Sequence, residues 1–201
     1  MGKIVVVGGH SRNIGKTSAV AHIISATQEL NWTAVKITQF GHGICSINGK
    51  DCHCSTEEHR FAIQQEQDRS GETDSSRFLV AGAKKSFWVR TKQGMLFEAM
   101  PSLRQLISKD EYVIFESNSL MRFLRPNVYL VLLDYAVLDF KPSVKQFIDL
   151  ADAYLVIKRD QERPVWEGVS LKPMTGKPVF EVAPPEYITP ETVEFVRDHL
   201  R

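Results

Sequence analysis

The chain has 201 residues, of which 43% are hydrophobic and 24% are charged, which is ordinary usage for a globular protein. The formal net charge is +1 with both signs interspersed, which excludes the strong positive field expected of proteins that bind nucleic acid or coat anionic membranes. No apolar run approaches the ~18 residues of a membrane helix and no signal-peptide core precedes the first predicted strand, so we expect a cytoplasmic protein.

Short β-branched runs alternate with longer amphipathic stretches, a pattern typical of an α/β fold with a mostly parallel sheet. The length fits one domain over residues 1–201. The predicted strands are Lys3–Val7, Ala34–Thr38, Ser86–Arg90, Tyr112–Glu116, Val128–Leu133, Ala153–Lys158 and Val179–Val182. The predicted helices are Lys16–Leu30, Ser75–Ala83, Pro101–Ile107, Val144–Leu150 and Pro190–Leu200.

A glycine-rich segment connects the first predicted strand to the first predicted helix. Its residues are Gly8, Gly9, His10, Ser11, Arg12, Asn13, Ile14, Gly15, Lys16, Thr17 and Ser18. Backbone N–H groups at a helix N-terminus converge on phosphate oxygens, Lys16 is placed to reach the β- and γ-phosphates, and Thr17 is placed to ligate Mg²⁺. We therefore predict that Gly9 to Ser18 hold GTP or ATP with Mg²⁺ in the three-layer fold of P-loop NTPases. A strand-to-helix turn without a ligand is the alternative.

The loop is one residue longer than the common P-loop spacing. Five residues separate Gly9 from Gly15 where the common motif has four, and His10 stands where the first glycine belongs. The longer loop resembles those of dethiobiotin synthetase and the cobyrinic acid amide synthetases. That resemblance implies an ATP-dependent kinase or ligase, in which the carboxylate or carbamate of a small substrate attacks the γ-phosphate beside Lys36.

A polar segment at about residues 41–71 follows the second predicted strand, and we predict that it leaves the sheet as an insertion. It contains all the cysteines of the chain, Cys45, Cys52 and Cys54. The Asn-Gly pair at 48–49 favours a hairpin turn that pairs Ile47 with Lys50, and therefore Cys45 with Cys52.

Strand alternation puts Cys54 on the same face as Cys52. The three sulfurs, with His42 or His59, then match the ligand set that Zn²⁺ accepts. Reduced thiols, or a redox-sensitive disulfide between Cys45 and Cys52, are the alternatives. The zinc interpretation adds another candidate function, a metal-binding module gated by nucleotide.

Three landmarks along the chain combine strand ends with acidic or basic side chains. They are Val35-Lys36-Ile37-Thr38, the segment from Thr73-Asp74-Ser75 to Ala81-Gly82-Ala83, and Phe115-Glu116-Ser117. Glu116 ends a buried strand and therefore reaches the carboxyl edge of the sheet, where ligands bind in open α/β folds. An ordinary exposed acid at a strand end is the alternative for Glu116. For Asp74, a role as helix N-cap also stays open.

These landmarks occur in the same order in the molybdopterin-guanine dinucleotide biosynthesis adapter (MobB) family, which the chain resembles over about its first 120 residues. The resemblance implies that Asp74 and Glu116 hold Mg²⁺ with Thr17, and that Lys36 lies near the phosphates or a second substrate. Lys16, Lys36 and Glu116 are the candidate catalytic residues. The family further implies slow hydrolysis of GTP or ATP and a partner enzyme in molybdenum cofactor biosynthesis. A homodimer is left open.

The predicted strand that begins at Ala153 ends in a charged turn. Its residues Lys158-Arg159-Asp160 resemble the guanine-reading Asn-Lys-x-Asp signature, with Ile157 in place of the asparagine. In such a site Asp160 accepts hydrogen bonds from guanine N1 and N2, and the stem of Lys158 covers the base. A solvated turn is the alternative.

Overall fold

The computed structural model describes residues 2–40, 46–47, 50–51 and 60–201. Strands β1 to β10 are, in chain order, Lys3–Gly9, Thr33–Phe40, Ser46–Ile47, Lys50–Asp51, Phe61–Gln65, Lys85–Lys92, Tyr112–Glu116, Val128–Asp134, Ala153–Ile157 and Val179–Glu181. Eight of them form one sheet with the order β10-β9-β8-β1-β7-β2-β6-β5. All neighbours in this sheet are parallel except β5 and β6, which are antiparallel.

Helices cover both faces of the sheet. Helices α1 to α5 are Lys16–Ala26, Asp74–Val80, Leu96–Leu106, Pro142–Lys145 and Pro190–Leu200. Helices α1, α2 and α5 pack on one face, and α3 and α4 pack on the other. β1, β7 and β8 are buried on both faces, as their continuous apolar sequences predict, because alternate side chains enter the two cores.

The seven predicted strands are confirmed, and most helices differ from the prediction at their ends. Helix α1 stops at Ala26, since the backbone of Thr27 leaves helical geometry with φ −137°; the Thr27 hydroxyl donates to Ile23 O and accepts from Trp32 Nε1. Helix α3 begins before Pro101, since its buried residues Leu96, Ala99, Met100 and Leu103 have helical spacing. The predicted helix Val144–Leu150 forms only as α4 and a 3₁₀ turn at Ile148–Leu150.

The prediction that the whole of 41–71 leaves the sheet is wrong for its later part. Residues Phe61–Gln65 form β5, which pairs with β6 from Phe61↔Thr91 to Gln65↔Phe87. Phe61 and Ile63, two residues apart, pack against the core face that carries α3. This short alternating pattern stabilises an edge strand within a segment that is polar overall.

The predicted cysteine and histidine cluster lies outside the described residues. This holds for Cys45, Cys52, Cys54, His42 and His59. The backbone on either side of Asn48-Gly49 pairs as predicted, with Ile47 opposite Lys50 in the antiparallel hairpin β3-β4. In the described part of the chain, none of the helices has the length and apolar character needed to span a membrane.

Candidate functional site

The glycine-rich loop at residues 8–18, called the phosphate loop below after its predicted ligand, lies at the carboxyl edge of the sheet. It connects the end of β1 to the start of α1. β1 pairs with β7 on one side and with β8 on the other. The His10 N–H continues the ladder to Leu132 O at 3.1 Å, so the turn begins only after His10. β1 thus runs two residues past its predicted end at Val7.

Asn118, which follows β7, holds the last residue of β1 through both ends of its side-chain amide. Gly9 N–H donates to Asn118 Oδ1 at 2.8 Å, and Asn118 Nδ2 donates to Gly9 O at 3.0 Å. A Cβ on Gly8 would lie 2.5 Å from Asn118 Oδ1, so a residue without a side chain is required there. The sequence analysis missed Asn118, although its position just beyond Glu116 placed it at this edge.

The His10 ring is fully buried and lies beneath the loop. Its Nδ1 is 2.7 Å from Asp139 O and its Nε2 accepts from the Asp134 N–H at 3.0 Å, an arrangement that fits the neutral tautomer with the proton on Nδ1. The ring also stacks on Phe140 and contacts Trp166 in a tilted arrangement. The side chain of this predicted ligand residue therefore positions the loop instead of lining it.

A segment at 135–141, after β8, closes over the other side of the loop. Ser11 Oγ donates to Asp139 Oδ2 at 2.7 Å, and the Lys141 N–H donates to His10 O at 2.8 Å. Arg12 and Asn13 are exposed at the apex of the loop, whereas Ile14 is buried in the core. The loop is therefore anchored at both ends and open in the middle.

The first residues of α1 follow a left-handed backbone turn. Asn13 has φ 54° and Gly15 has φ 100°, and a Cβ on Gly15 would lie 1.8 Å from Tyr187 Cε1. Tyr187 comes from the loop after β10, and its N–H donates to His22 Nδ1 at 3.3 Å. Ser18, in the first turn of α1, accepts from Arg77 Nη2 at 2.9 Å.

Thr17, Lys36, Asp74 and Glu116 meet in one cluster beside the start of α1. Thr17 Oγ1 donates to Glu116 Oε2 at 2.8 Å. Lys36 Nζ donates to Glu116 Oε1 at 2.5 Å and lies 2.7 Å from Asp74 Oδ2. Glu116 is only 4% exposed, which excludes the exposed strand-end acid as its description.

Asp74 is the first residue of α2 and not its N-cap. The cap is Thr73, whose hydroxyl accepts from the Ser76 N–H at 3.1 Å. The Asp74 carboxylate is consequently free of the capping role and turns toward Lys36. Ser75 and Ser76, buried at the start of α2, fix the helix against the preceding loop through bonds to Glu66 and Gly71.

Burial and neighbouring charges shift the pKa values of this cluster. Burial lowers the pKa of Lys16 to about 8, and Lys141 and Lys36 act in the same direction. Burial also acts to lower the pKa of Lys36, but Glu116 and Asp74 outweigh it, so the pKa is raised. Lys36 in turn holds the pKa of Asp74 below its usual value despite burial. Lys36 therefore stays cationic. Lys16 Nζ donates to Ser11 O at 2.5 Å, and no carboxylate of the described residues is bonded to it.

The oxygen atoms of this cluster have the chemistry that Mg²⁺ prefers. Hard oxygen donors come from the Glu116 carboxylate at the end of β7, the Asp74 carboxylate at the start of α2 and the Thr17 hydroxyl in the first turn of α1. The Lys36 ammonium now lies among them, so a divalent cation would compete with it for the same oxygens. Across residues 2–40 and 60–201, no group of three or more His, Cys, Asp or Glu side chains forms a metal site.

Lys158 and Asp160 lie at the same edge of the sheet but apart from the cluster around Lys36. Lys158 Nζ is 2.6 Å from Glu181 Oε2 of β10, and this bond raises the pKa of Lys158. Arg159, in a left-handed backbone conformation with φ 52°, donates to the buried Asp134 carboxylate. Asp160 is exposed. The structure therefore leaves the Asp160 carboxylate accessible and pairs Lys158 with a neighbouring strand.

Lys141 is a basic side chain at the loop that the sequence analysis missed. Burial is the largest cause that lowers the pKa of Lys141. The charge of Arg12 lowers this pKa further, whereas the charge of Asp139 raises it. The available signal was a lysine directly before the proline that starts α4, in the segment that follows a fully apolar strand. That signal does not indicate that β8 pairs with β1, and this pairing is what brings Lys141 to the loop.

Comparisons with known proteins find similarity at the level of structure. No family model matches the chain, and no curated protein matches its sequence. LpxK from Aquifex aeolicus, crystallised in complex with ATP, is similar with a TM-score of 0.50 and 17% identity over 90% of this chain. The chain spans only 53% of that LpxK chain. HypB from Helicobacter pylori, crystallised in complex with nickel, has a TM-score of 0.47 and 15% identity, over 99% of this chain and 86% of the HypB chain.

At this level of identity the similarity concerns the fold. The mostly parallel eight-stranded sheet, its helices on both faces and the glycine-rich loop between β1 and α1 agree with the predicted fold class. The chain therefore has the three-layer α/β fold of P-loop NTPases.

Proposed function

We propose that the chain binds a purine nucleoside triphosphate, GTP or ATP, with Mg²⁺ at residues 8–18, and hydrolyses it slowly. The observation that carries this proposal is the convergence of Thr17, Lys36, Asp74 and Glu116 beside the phosphate loop. These residues come from α1, β2, α2 and β7. A packed core alone gives no reason to gather two carboxylates and a desolvated lysine at one sheet edge.

Each residue has a role in this proposal. Lys16 stabilises negative charge on the β- and γ-phosphates, since its ammonium is partly buried and, within the described parts of the chain, is bonded to the loop carbonyl of Ser11 alone. Thr17, Asp74 and Glu116 hold Mg²⁺, which neutralises phosphate charge when it is bound. Lys36 lowers the pKa of Asp74 and, through its contacts with Asp74 and Glu116, orients both carboxylates before the cation arrives. No side chain is assigned as general base.

If the base is guanine, its proposed reader is Asp160, beyond the end of β9; a solvated turn there is the alternative. The exposed Asp160 carboxylate is compatible with hydrogen bonds to guanine N1 and N2. For Lys158 to cover the base, it would have to leave Glu181. The similarity of fold to LpxK, a protein crystallised with ATP, supports a nucleoside triphosphate without favouring either base.

The biological role is proposed to be that of an adapter for a partner enzyme, within molybdenum cofactor biosynthesis. The order of Lys36, Asp74 and Glu116 along the chain supports it, because the same landmarks give the resemblance to the MobB family. An adapter of this kind hydrolyses nucleotide slowly on its own. Turnover that requires an added small carboxylate would instead favour the ligase alternative, in which Lys36 contacts the second substrate.

Calorimetry with GTP and ATP in the presence of Mg²⁺ tests the proposal. We expect wild-type protein to bind at least one of them, and Lys16→Ala to lose binding by a hundredfold or more, because charge-assisted bonds to phosphate contribute about 1.5 to 3 kcal/mol each. Lys109→Ala, at an exposed position after α3, controls for the loss of one positive charge. Equal affinity in wild type and Lys16→Ala would contradict the site assignment.

A further inference from the structure

Lys141 is held against the phosphate loop by its backbone, while its side chain has no hydrogen-bond partner among the residues that the structure describes. Its N–H donates to His10 O at 2.8 Å, and its side chain is partly buried. Within the described residues, no acceptor lies within hydrogen-bond distance of the ammonium. A partly desolvated cation without a hydrogen-bonded counter-ion costs free energy, which a bound anion would offset.

The backbone bond to His10 O places Lys141 beside the loop, and several charged side chains of the loop and the neighbouring cluster act on its ammonium. Those that act on it most strongly belong to Arg12, Asp139, Lys36 and Glu116, in this order. The nearby carboxylates already have partners, since Asp139 accepts from Ser11 and Glu116 accepts from Thr17 and Lys36. The carboxylates near Lys141 are therefore already hydrogen-bonded to other residues, and Lys141 adds a further positive charge beside them.

The sheet order explains how Lys36 and Lys141 reach the loop from opposite sides. Lys36 lies on β2, beyond β7, whereas Lys141 follows β8, the other neighbour of β1. The backbone bond to His10 O holds Lys141 beside the loop, and Lys36 and Glu116 of the proposed Mg²⁺ cluster are among the charges that act on its ammonium. This position is compatible with contact to the distal end of a bound triphosphate.

We propose that Lys141 binds the terminal phosphate and makes the site prefer a nucleoside triphosphate to the corresponding diphosphate. This inference rests on the proposed function and adds a residue that lies outside the phosphate-loop motif. Arg12, exposed at the loop apex, and Lys141 then approach the same phosphoryl group from the loop and from the segment after β8. A diphosphate, which lacks that group, leaves Lys141 without its anion.

Replacing Lys141 by methionine tests the preference, because methionine keeps most of the side-chain length and the backbone bond to His10 while removing the charge. Calorimetry would measure a non-hydrolysable GTP analogue and GDP, and the corresponding adenine pair, each with Mg²⁺. We expect Lys141→Met to weaken triphosphate binding by about tenfold to a hundredfold, and diphosphate binding by less than about threefold. Lys141→Arg should retain most of the preference, since it keeps the cation.

Lys145→Met is the matched control, because Lys145 is an exposed lysine at the end of the same short helix. Its triphosphate and diphosphate affinities should equal those of wild type. Denaturant unfolding of each variant establishes that it is folded. If wild type binds triphosphate and Lys141→Met weakens both ligands equally, or neither, the inference about Lys141 is overturned while the proposed function stands. If wild type binds none of the nucleotides, the proposed function itself fails.

Discussion

The imidazole of His10 joins the phosphate loop to the segment that follows β8. It bonds to Asp139 O and to the Asp134 N–H, and burial lowers its pKa. The charged groups that face it are the Asp134 carboxylate, which raises the pKa, and the Lys16 ammonium, which lowers it. Because burial prevails, the native protein requires the neutral ring.

We expect the free energy of unfolding to decrease as the pH falls below about 6.5, where the unfolded histidine begins to bind a proton that the folded ring rejects. Above that pH both states are neutral and the full stability is present. The decrease attributable to His10 is at most about 1.4 kcal/mol per pH unit, until the folded pKa is reached. Urea unfolding between pH 5.5 and 7.5 would measure it.

His10→Gln, which retains a donor and an acceptor, should have a shallower dependence of stability on pH than wild type. His199→Gln, at an exposed position of α5, controls for the loss of an imidazole elsewhere. Identical pH slopes in wild type and His10→Gln would disprove the assignment of this effect to His10.

Among the secondary-structure elements, the ends of β1 are both fixed by asparagine side chains from neighbouring segments. Asn118, after β7, bonds to Gly9 at the carboxyl end, where the phosphate loop begins. Asn127, before β8, accepts from the Ile4 N–H at 2.9 Å, near the amino end of the strand. Asn118 and Asn127 therefore make similar hydrogen bonds to β1, the first beside the candidate site and the second at the opposite end of the strand.

We expect Asn118→Ala to lower the free energy of unfolding by about 1 to 3 kcal/mol, because it leaves the N–H and C=O of Gly9 without partners. It should also weaken triphosphate binding, since the loop amides lose their orientation. Asn127→Ala should reduce stability but leave nucleotide affinity unchanged. The measurements are urea unfolding and calorimetry, and wild-type affinity in Asn118→Ala would refute the positioning role of this side chain.

For the whole molecule, the site lies where both cores meet the carboxyl edge of the sheet. Thr17 belongs to the face covered by α1, whereas Lys141 precedes α4 on the other face. β1, β7 and β8 pass between these two cores and are almost wholly buried. A ligand at this edge contacts elements from both layers, so its binding should stabilise the domain as a unit.

We expect saturating Mg²⁺ and triphosphate to raise the melting temperature in a single transition. At a ligand concentration one hundred times Kd the stabilisation is about 2.7 kcal/mol, which corresponds to roughly 5 to 10 °C for a chain of this size. Differential scanning calorimetry would measure the shift, and Lys16→Ala should abolish it. A transition that splits into two, with only one part moved by ligand, would contradict the expectation of one cooperative unit.

Most of the fold and the centre of the site could be predicted from the sequence because they depend on local patterns. Apolar runs identified the buried strands, and the Gly-Lys-Thr triplet after β1 located the loop. Glu116 was predictable because the ends of parallel strands share one edge, whereas the place of Lys36 was an implication of the resemblance to the MobB family. β5 was missed, since an edge strand buries only one face and Phe61 and Ile63 are a weak signal within a polar segment.

The sequence by itself determined that this is an α/β protein, and it supplied a glycine-rich loop before α1 as the candidate phosphate site, with candidate oxygen ligands for Mg²⁺. Only the tertiary structure decided that β8 and β7 flank β1, which brings His10, Asn118 and Lys141 to the loop. The physical reason is that strand neighbours in a parallel sheet are set by crossovers between distant segments. Contacts of that kind depend on the packing of both layers, and no periodicity or motif in either segment encodes them.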